Sequence, residues 1–112
     1  MQIDLNYELH NPQVKETTVV MVHGLQSSLR TFDTLIKSLP KSWKIITVDQ
    51  RGHGKSPVYG DSYSSEKMAE DLKVLVEKLK LKKFHLLGHS MGGRTALAYA
   101  GLYPNDLASI IV

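Results

Sequence analysis

The spacing of apolar residues divides the chain into five strand-like runs with helical segments between them. In the first run apolar and polar residues alternate, with Ile3, Leu5, Tyr7 and Leu9 at every second position. This period of two predicts a strand with one face in water. The other four runs are continuous and apolar: residues 19–22, 45–48, 84–87 (interrupted by His85) and 110–112. Continuous runs are typical of parallel strands covered on both faces by helices.

Helical spacing recurs between these runs. Apolar residues at i, i+3, i+4 and i+7 predict a helix that ends before Pro40; they are Phe32, Leu35, Ile36 and Leu39. A second helix, capped by Ser64 or Ser65, is predicted by the stripe Met68, Leu72, Leu75, Val76 and Leu79. A third is expected from Met91 to Tyr103, where many residues are small enough to lie close to a sheet. This alternation predicts that residues 1–112 are the N-terminal part of a single α/β domain, with a parallel sheet that is mixed at its N-terminal edge and helices on both faces.

Composition and charge narrow the range of functions. Of the 112 residues, 42% are hydrophobic and 22% charged, as in an ordinary globular domain. The net charge is +3, but the densest basic stretch, residues 78–83, falls where a helix is expected to end, so we predict no nucleic-acid partner. Cysteine is absent, which excludes disulfides and thiol chemistry. No apolar stretch has the length of a signal peptide or a membrane span, and we therefore expect a cytoplasmic protein.

One motif carries a specific chemistry. Residues 88–92 read G-x-S-x-G, directly after an apolar run and directly before a helical segment. In this strand–turn–helix context the central serine, Ser90, lies on a sharp turn that exposes its hydroxyl at the sheet edge. The strand and helix backbones crowd there, so Gly88 and Gly92 must be nearly free of side-chain atoms. The N-terminus of the following helix also aims free N–H groups at developing negative charge. Ser90 is therefore the candidate nucleophile.

Three motifs in this order resemble the first half of the α/β-hydrolase superfamily. They are His23-Gly24-Leu25, the sequence DQRGHGKS at residues 49–56, and the turn at Ser90. The resemblance covers nearly the whole chain and implies an α/β-hydrolase fold with Ser90 as nucleophile. It also implies that the backbone N–H groups of Leu25 and Met91 form the oxyanion hole.

The same resemblance implies supporting roles for the neighbouring residues. His23 is expected to hold its loop by hydrogen bonds rather than to transfer protons. His89 is expected to pack against the turn and orient it. Residues 51–56 are expected to form a tight turn that lets the chain cross beside the site.

A likeness to small esterases of this superfamily rests on residues between the motifs: Tyr63, Met68, Ala69, Asp71 and Leu72. It implies a serine hydrolase that acts on a carboxylic ester or related acyl substrate through an acyl-enzyme at Ser90. The substrate would be a small molecule, and no metal or organic cofactor is implied. Serine rather than aspartate at this position argues against dehalogenase and epoxide-hydrolase chemistry. Thioester and carbon–carbon bond hydrolysis stay open, as does the oligomeric state.

The chain lacks the partners that a serine nucleophile needs in this fold. A base and an orienting acid should follow the nucleophile in the order Ser, Asp or Glu, His. All five histidines precede Ser90, and the only acid after it is Asp106, which comes too soon to lie on a later strand. The chain also ends inside the apolar run 110–112. We therefore expect the natural protein to continue and to supply both partners, and the 112-residue chain alone to be inactive.

Three other interpretations are weaker. Gly54-Lys55-Ser56 follows a strand as in a phosphate loop, but Asp49 occupies the position of the loop's first glycine and Pro57 prevents a long helix. His85 and His89 are spaced like a metal-binding pair on a helix, yet they straddle a strand end, so we expect no metal site. The alternative function is a non-catalytic binding or interaction module of the same fold, which a histidine beyond residue 112 would argue against.

Overall fold

The computed structural model describes residues 4–58 and 62–112. Its strands are β1 (Tyr7–His10), β2 (Thr17–Val22), β3 (Trp43–Val48), β4 (Phe84–Gly88) and β5 (Leu107–Ile111). Its helices are α1 (Asp33–Lys37), α2 (Ser65–Lys78) and α3 (Met91–Leu102), with short 3-10 turns at Leu29–Phe32 and Pro104–Asp106. Each predicted strand and helix therefore has a counterpart, although Ile3 of the first predicted strand lies outside the described residues.

The sheet places the ends of two parallel strands side by side. Its order is β1-β3-β2-β4-β5, with β1 antiparallel to β3 and the other neighbours parallel. This confirms a parallel sheet that is mixed at its N-terminal edge. In the β2–β4 pair Val22 lies opposite Gly88, so the loops that follow these two strands leave the same edge of the sheet.

Helices cover both faces of the sheet, as predicted. On one face Val20 and Val22 of β2 pack with residues of α2 and α3 in the larger buried cluster. The alternate residues Val19 and Met21 pack on the other face with Phe32 and the segment around α1. This second face is less completely covered, because an open apolar groove of about 360 Å³ lies beside α1.

Three element boundaries differ most from the sequence prediction. β1 begins at Tyr7, the first residue of its ladder with β3, so Leu5 of the predicted strand precedes it. The helix expected over residues 32–39 is a 3-10 turn followed by the short α1. Ser28 caps the 3-10 turn, and the backbone N–H of Leu29 donates to the carboxylate of Asp49, so this segment is pinned to the sheet before a regular helix begins. β5 begins at Leu107 rather than at residue 110, because Leu107 already pairs with Phe84 of β4.

The two long helices begin in different ways. Ser64 caps α2, because its hydroxyl accepts a hydrogen bond from the backbone N–H of Lys67. The residue before α3 is Ser90, whose side chain makes no capping bond to the helix.

Within the described ranges, none of the helices combines the length and apolar character that a membrane span requires.

Candidate active site

Ser90 lies on the turn between β4 and α3 and is exposed. Its backbone has φ 58° and ψ −116°, a conformation that costs residues with a side chain about 1–3 kcal/mol. Hydrogen bonds close the turn: the Gly92 N–H donates to the carbonyl of His89 at 2.9 Å, and the Gly93 N–H donates to that of Ser90 at 2.8 Å. The strained turn therefore holds the serine outside the sheet at the N-terminus of a helix, as the motif predicts.

Two glycines allow the strand and helix backbones to cross at this turn. A Cβ on Gly88 would lie 2.7 Å from the backbone nitrogen of Gly93, and one on Gly92 would lie 2.7 Å from the carbonyl oxygen of His23. Real Cβ atoms essentially never approach other atoms within 3.0 Å. The need for glycine at both positions is thereby confirmed. The close approach of Gly92 to His23 also places the loop after β2 directly against the first turn of α3.

The loop after β2 is held by His23, which is completely buried. Its Nδ1 donates to the Gly24 carbonyl at 2.7 Å, and its Nε2 accepts from the backbone N–H of Gln50 at 3.0 Å. This pair of bonds requires a neutral imidazole with its proton on Nδ1. Burial lowers the pKa of His23; the bond to Gly24 opposes this effect and the nearby His53 reinforces it. His23 therefore holds its loop by hydrogen bonds in the neutral form, which is the role that the resemblance implies.

One cavity collects the residues predicted for the nucleophile and the oxyanion hole. It has a volume of about 560 Å³, and its described lining consists of Leu25, Tyr63, Ser65, Ser90, Met91 and Arg94. The loop after β2 touches the turn, because a Cβ on Gly24 would lie 3.2 Å from the Cβ of Ser90. Leu25, Ser90 and Met91 thus come together from two different loops. Arg94 is the only charged residue in the described part of the lining.

Asp106, the only acid after Ser90, is engaged elsewhere. Its carboxylate accepts from the Nζ of Lys73 and from the hydroxyl of Tyr99, both at 2.7 Å. Burial alone would raise the pKa of Asp106, but these two hydrogen bonds outweigh it and lower the pKa. Within residues 4–58 and 62–112, no imidazole or carboxylate forms a hydrogen bond with the Ser90 hydroxyl. Asp106 therefore joins α2 to the end of α3 and does not serve Ser90.

The carboxylate of Asp49 organises the loop after β3. It accepts hydrogen bonds from the backbone N–H groups of Leu29 and Lys55 at 2.8 and 2.9 Å, and from the amide of Asn6 at 2.9 Å. The backbone N–H of Lys55, which a phosphate would need in a phosphate loop, is thus already bonded to the carboxylate of Asp49. Residues 54–56 accordingly form a structural turn rather than a phosphate loop.

Arg51 fixes the segment that leads to the cavity wall. Its guanidinium makes two hydrogen bonds to the carboxylate of Asp71, at 2.7 and 2.8 Å, and both side chains are buried. A further bond at 3.0 Å reaches the carbonyl of Ser62, next to Tyr63 of the cavity lining. The sequence signal for this pair was an acid on the buried stripe of α2, directly before Leu72, where an unpaired carboxylate would be costly.

Comparison with known proteins agrees with this geometry. A family model described as alpha/beta hydrolase fold matches residues 17–112. A serine hydrolase-like protein of Danio rerio is 35% identical over 96 residues, which cover 84% of this chain and 29% of that protein. An sn-1-specific diacylglycerol lipase of Mus musculus is 36% identical over 112 residues, which cover 98% of this chain and 36% of that protein. The structure of a thermophilic esterase from Thermogutta terrifontis matches with a TM-score of 0.88 and 33% identity, over 96% of this chain and 39% of that one.

These matches cover the site but only a part of each relative. The chain spans less than two-fifths of the length of each of these three proteins. The family match begins at the start of β2 and includes both the loop at His23 and the turn at Ser90. On the strength of that match, the chain belongs to the alpha/beta hydrolase fold family.

Proposed function

We propose that the whole protein is a serine hydrolase that cleaves a carboxylic ester or related acyl substrate through an acyl-enzyme at Ser90. One observation carries the proposal: Ser90 lies on a strained turn at the N-terminus of α3 and lines the same cavity as Leu25 and Met91. The backbone N–H groups of Leu25 and Met91 are assigned to the oxyanion hole. These are main-chain roles, so either side chain can change without removing the donor.

The mechanism needs a base and an acid from outside this chain, and we assign both to the part of the whole protein that follows Val112. The base takes the proton of the Ser90 hydroxyl as its oxygen attacks the carbonyl carbon. The two N–H groups hold the negative oxygen of the tetrahedral intermediate. The alcohol then leaves with a proton from the base, and a water molecule activated by the same base hydrolyses the acyl-enzyme and frees the serine.

Ser90→Ala tests the proposal in the full-length protein. Removal of the nucleophile should lower kcat for p-nitrophenyl butyrate by a factor on the order of 10⁶ and abolish labelling by a fluorophosphonate probe. Ser65→Ala is the matched control, because Ser65 lines the same cavity. This control should keep both activities. Undiminished labelling of Ser90→Ala would show that Ser90 is not the nucleophile. An unlabelled wild-type protein would favour the non-catalytic binding module.

The cavity lining favours a substrate with a negative group. Leu25, Met91 and Tyr63 offer apolar surface, whereas Arg94 places a positive charge one helical turn after Ser90. We therefore expect Arg94 to strengthen binding of an ester that carries a carboxylate on its acyl chain. p-Nitrophenyl hemisuccinate and p-nitrophenyl butyrate differ in that charge. The kcat/KM for the hemisuccinate divided by that for the butyrate should fall in Arg94→Gln and keep its wild-type value in Arg94→Lys. A wild-type ratio in both variants would exclude this role for Arg94.

A further inference from the structure

Behind the cavity, a buried polar bridge joins the loop after β2 to helix α3. Gln50 follows β3 and Thr95 lies in the second turn of α3, and they are only 3% and 1% exposed. The side-chain amide of Gln50 donates to the carbonyl of His23 at 2.9 Å, and its Oε1 accepts from the hydroxyl of Thr95 at 2.8 Å. The backbone N–H of Gln50 also donates to the His23 ring at 3.0 Å. One residue thus connects the loop that carries Leu25 to the helix that begins at Met91.

The strand register does not by itself fix how the loop after β2 lies against the turn after β4. β2 and β4 pair as far as Val22 and Gly88, and one more hydrogen bond joins the His89 N–H to the Val22 carbonyl at 3.0 Å. Beyond that point no backbone hydrogen bond joins the two segments in the described part of the chain, and they meet only through packing contacts such as that of Gly92 with His23. β3 is not a neighbour of β4 in the sheet, so Gln50 reaches past the end of β2 to contact α3. The bridge therefore adds a constraint that the sheet does not supply.

We propose that Gln50 and Thr95 are positioning residues that set the distance between the backbone N–H groups of Leu25 and Met91. The inference rests on the proposed function, which assigns those two groups to the oxyanion. Gln50 acts through His23 on the loop and through Thr95 on the helix. Oxyanion donors act on charge that develops in the transition state, so their displacement lowers kcat more than it changes KM. A misplacement of about 1 Å in such a site costs up to roughly 100-fold in rate.

Thr95→Val tests the bridge with the smallest change in shape, because a methyl group replaces the hydroxyl. In the full-length protein it should lower both kcat for p-nitrophenyl butyrate and the rate of fluorophosphonate labelling at Ser90, by roughly 10-fold or more, with KM changed less than about 2-fold. Thr95→Ser keeps the hydroxyl and should restore both values. Thr47→Val is the matched control, since Thr47 is a buried threonine of β3 outside the bridge. It should leave kcat unchanged.

Gln50→Met removes both side-chain hydrogen bonds of the bridge and keeps a side chain of similar length. If the bridge acts as one unit, the double variant Gln50→Met/Thr95→Val loses no more than the more impaired single variant. Thermal unfolding identifies which variants are folded. A folded Thr95→Val with wild-type kcat and labelling rate, or additive losses in the double variant, overturns the positioning role of the bridge. Either result leaves the proposed function standing. Absence of labelling in the wild-type protein overturns the proposed function, and with it the oxyanion role that the bridge would serve.

Discussion

The two loops that meet at the cavity are held in place by different forces. The turn at Ser90 is fixed by backbone contacts, because Gly88 and Gly92 leave no room for a single Cβ. The loop after β2 is fixed by hydrogen bonds from buried side chains, chiefly His23 and Gln50. A strained backbone such as that of Ser90 persists only where surrounding atoms leave no alternative. The loop at Leu25 also holds a residue of positive φ, Gln26 at 59°, but it is directional hydrogen bonds from His23 and Gln50 that tie this loop to its neighbours.

This difference predicts different weaknesses in the two loops. Contacts between backbones do not depend on pH, but they cannot accommodate an added methyl group. Hydrogen bonds to an imidazole depend on one protonation state. The largest loss of stability should therefore come from added volume at the turn that carries Ser90. A smaller loss should come from protonation of His23 in the loop after β2.

Gly92→Ala should have the largest effect on stability. Its Cβ would clash with the carbonyl of His23, and the neighbouring atoms are backbone that cannot move aside cheaply. We expect a loss of more than about 4 kcal/mol in the free energy of unfolding, or no folding at all. Urea unfolding followed by circular dichroism measures this loss.

Gly101→Ala is the control, because it makes the same substitution in the same helix where nothing lies within 4 Å of the new Cβ. It should stabilise the protein by about 0.5–1 kcal/mol through the better helix propensity of alanine. Equal stabilities of the two variants would show that backbone crowding does not fix the turn.

Acidification should loosen the loop after β2, with a smaller effect on stability. Burial lowers the pKa of His23 in the folded protein from 6.5. Below pH 6.5 the unfolded chain therefore binds more protons at this residue than the folded one. The free energy of unfolding should fall by at most about 1.4 kcal/mol per pH unit as the pH decreases from there, and this contribution should level off below the folded pKa.

Two histidine variants isolate that contribution. His23→Gln should remove this part of the pH dependence, whereas His89→Gln changes an exposed histidine beside Ser90 and should retain it. Urea unfolding at a series of pH values from about 7.5 to 5 gives the slopes. The same slope in wild type and His23→Gln would mean that the loop is not held by a neutral imidazole.

The strained turn that carries Ser90 could be predicted from the sequence because every element of that feature is local. The strand, the two glycines, Ser90 and α3 follow each other within a few residues, and the crowding that selects glycine acts between adjacent segments. The oxyanion roles proposed for Leu25 and Met91 come from a resemblance, and the structure adds that both residues line the cavity with Ser90.

The buried polar partners could not be predicted in the same way. Gln50 and Thr95 are 45 positions apart and Arg51 and Asp71 are 20 apart, and nothing in the local pattern indicates which polar residue will meet which. Even the first helix was predicted too long, because the bond from Leu29 to Asp49 crosses between elements.

The sequence by itself determined which segments become strands and helices and where a strained turn presents Ser90, because apolar periodicity and glycine spacing act over short distances. Only the tertiary structure decided which loops meet at the cavity and which polar side chains hold them. Strand order brings β2 beside β4 and β3 beside β2, and each buried polar group must then bond to whatever donor or acceptor that order places next to it.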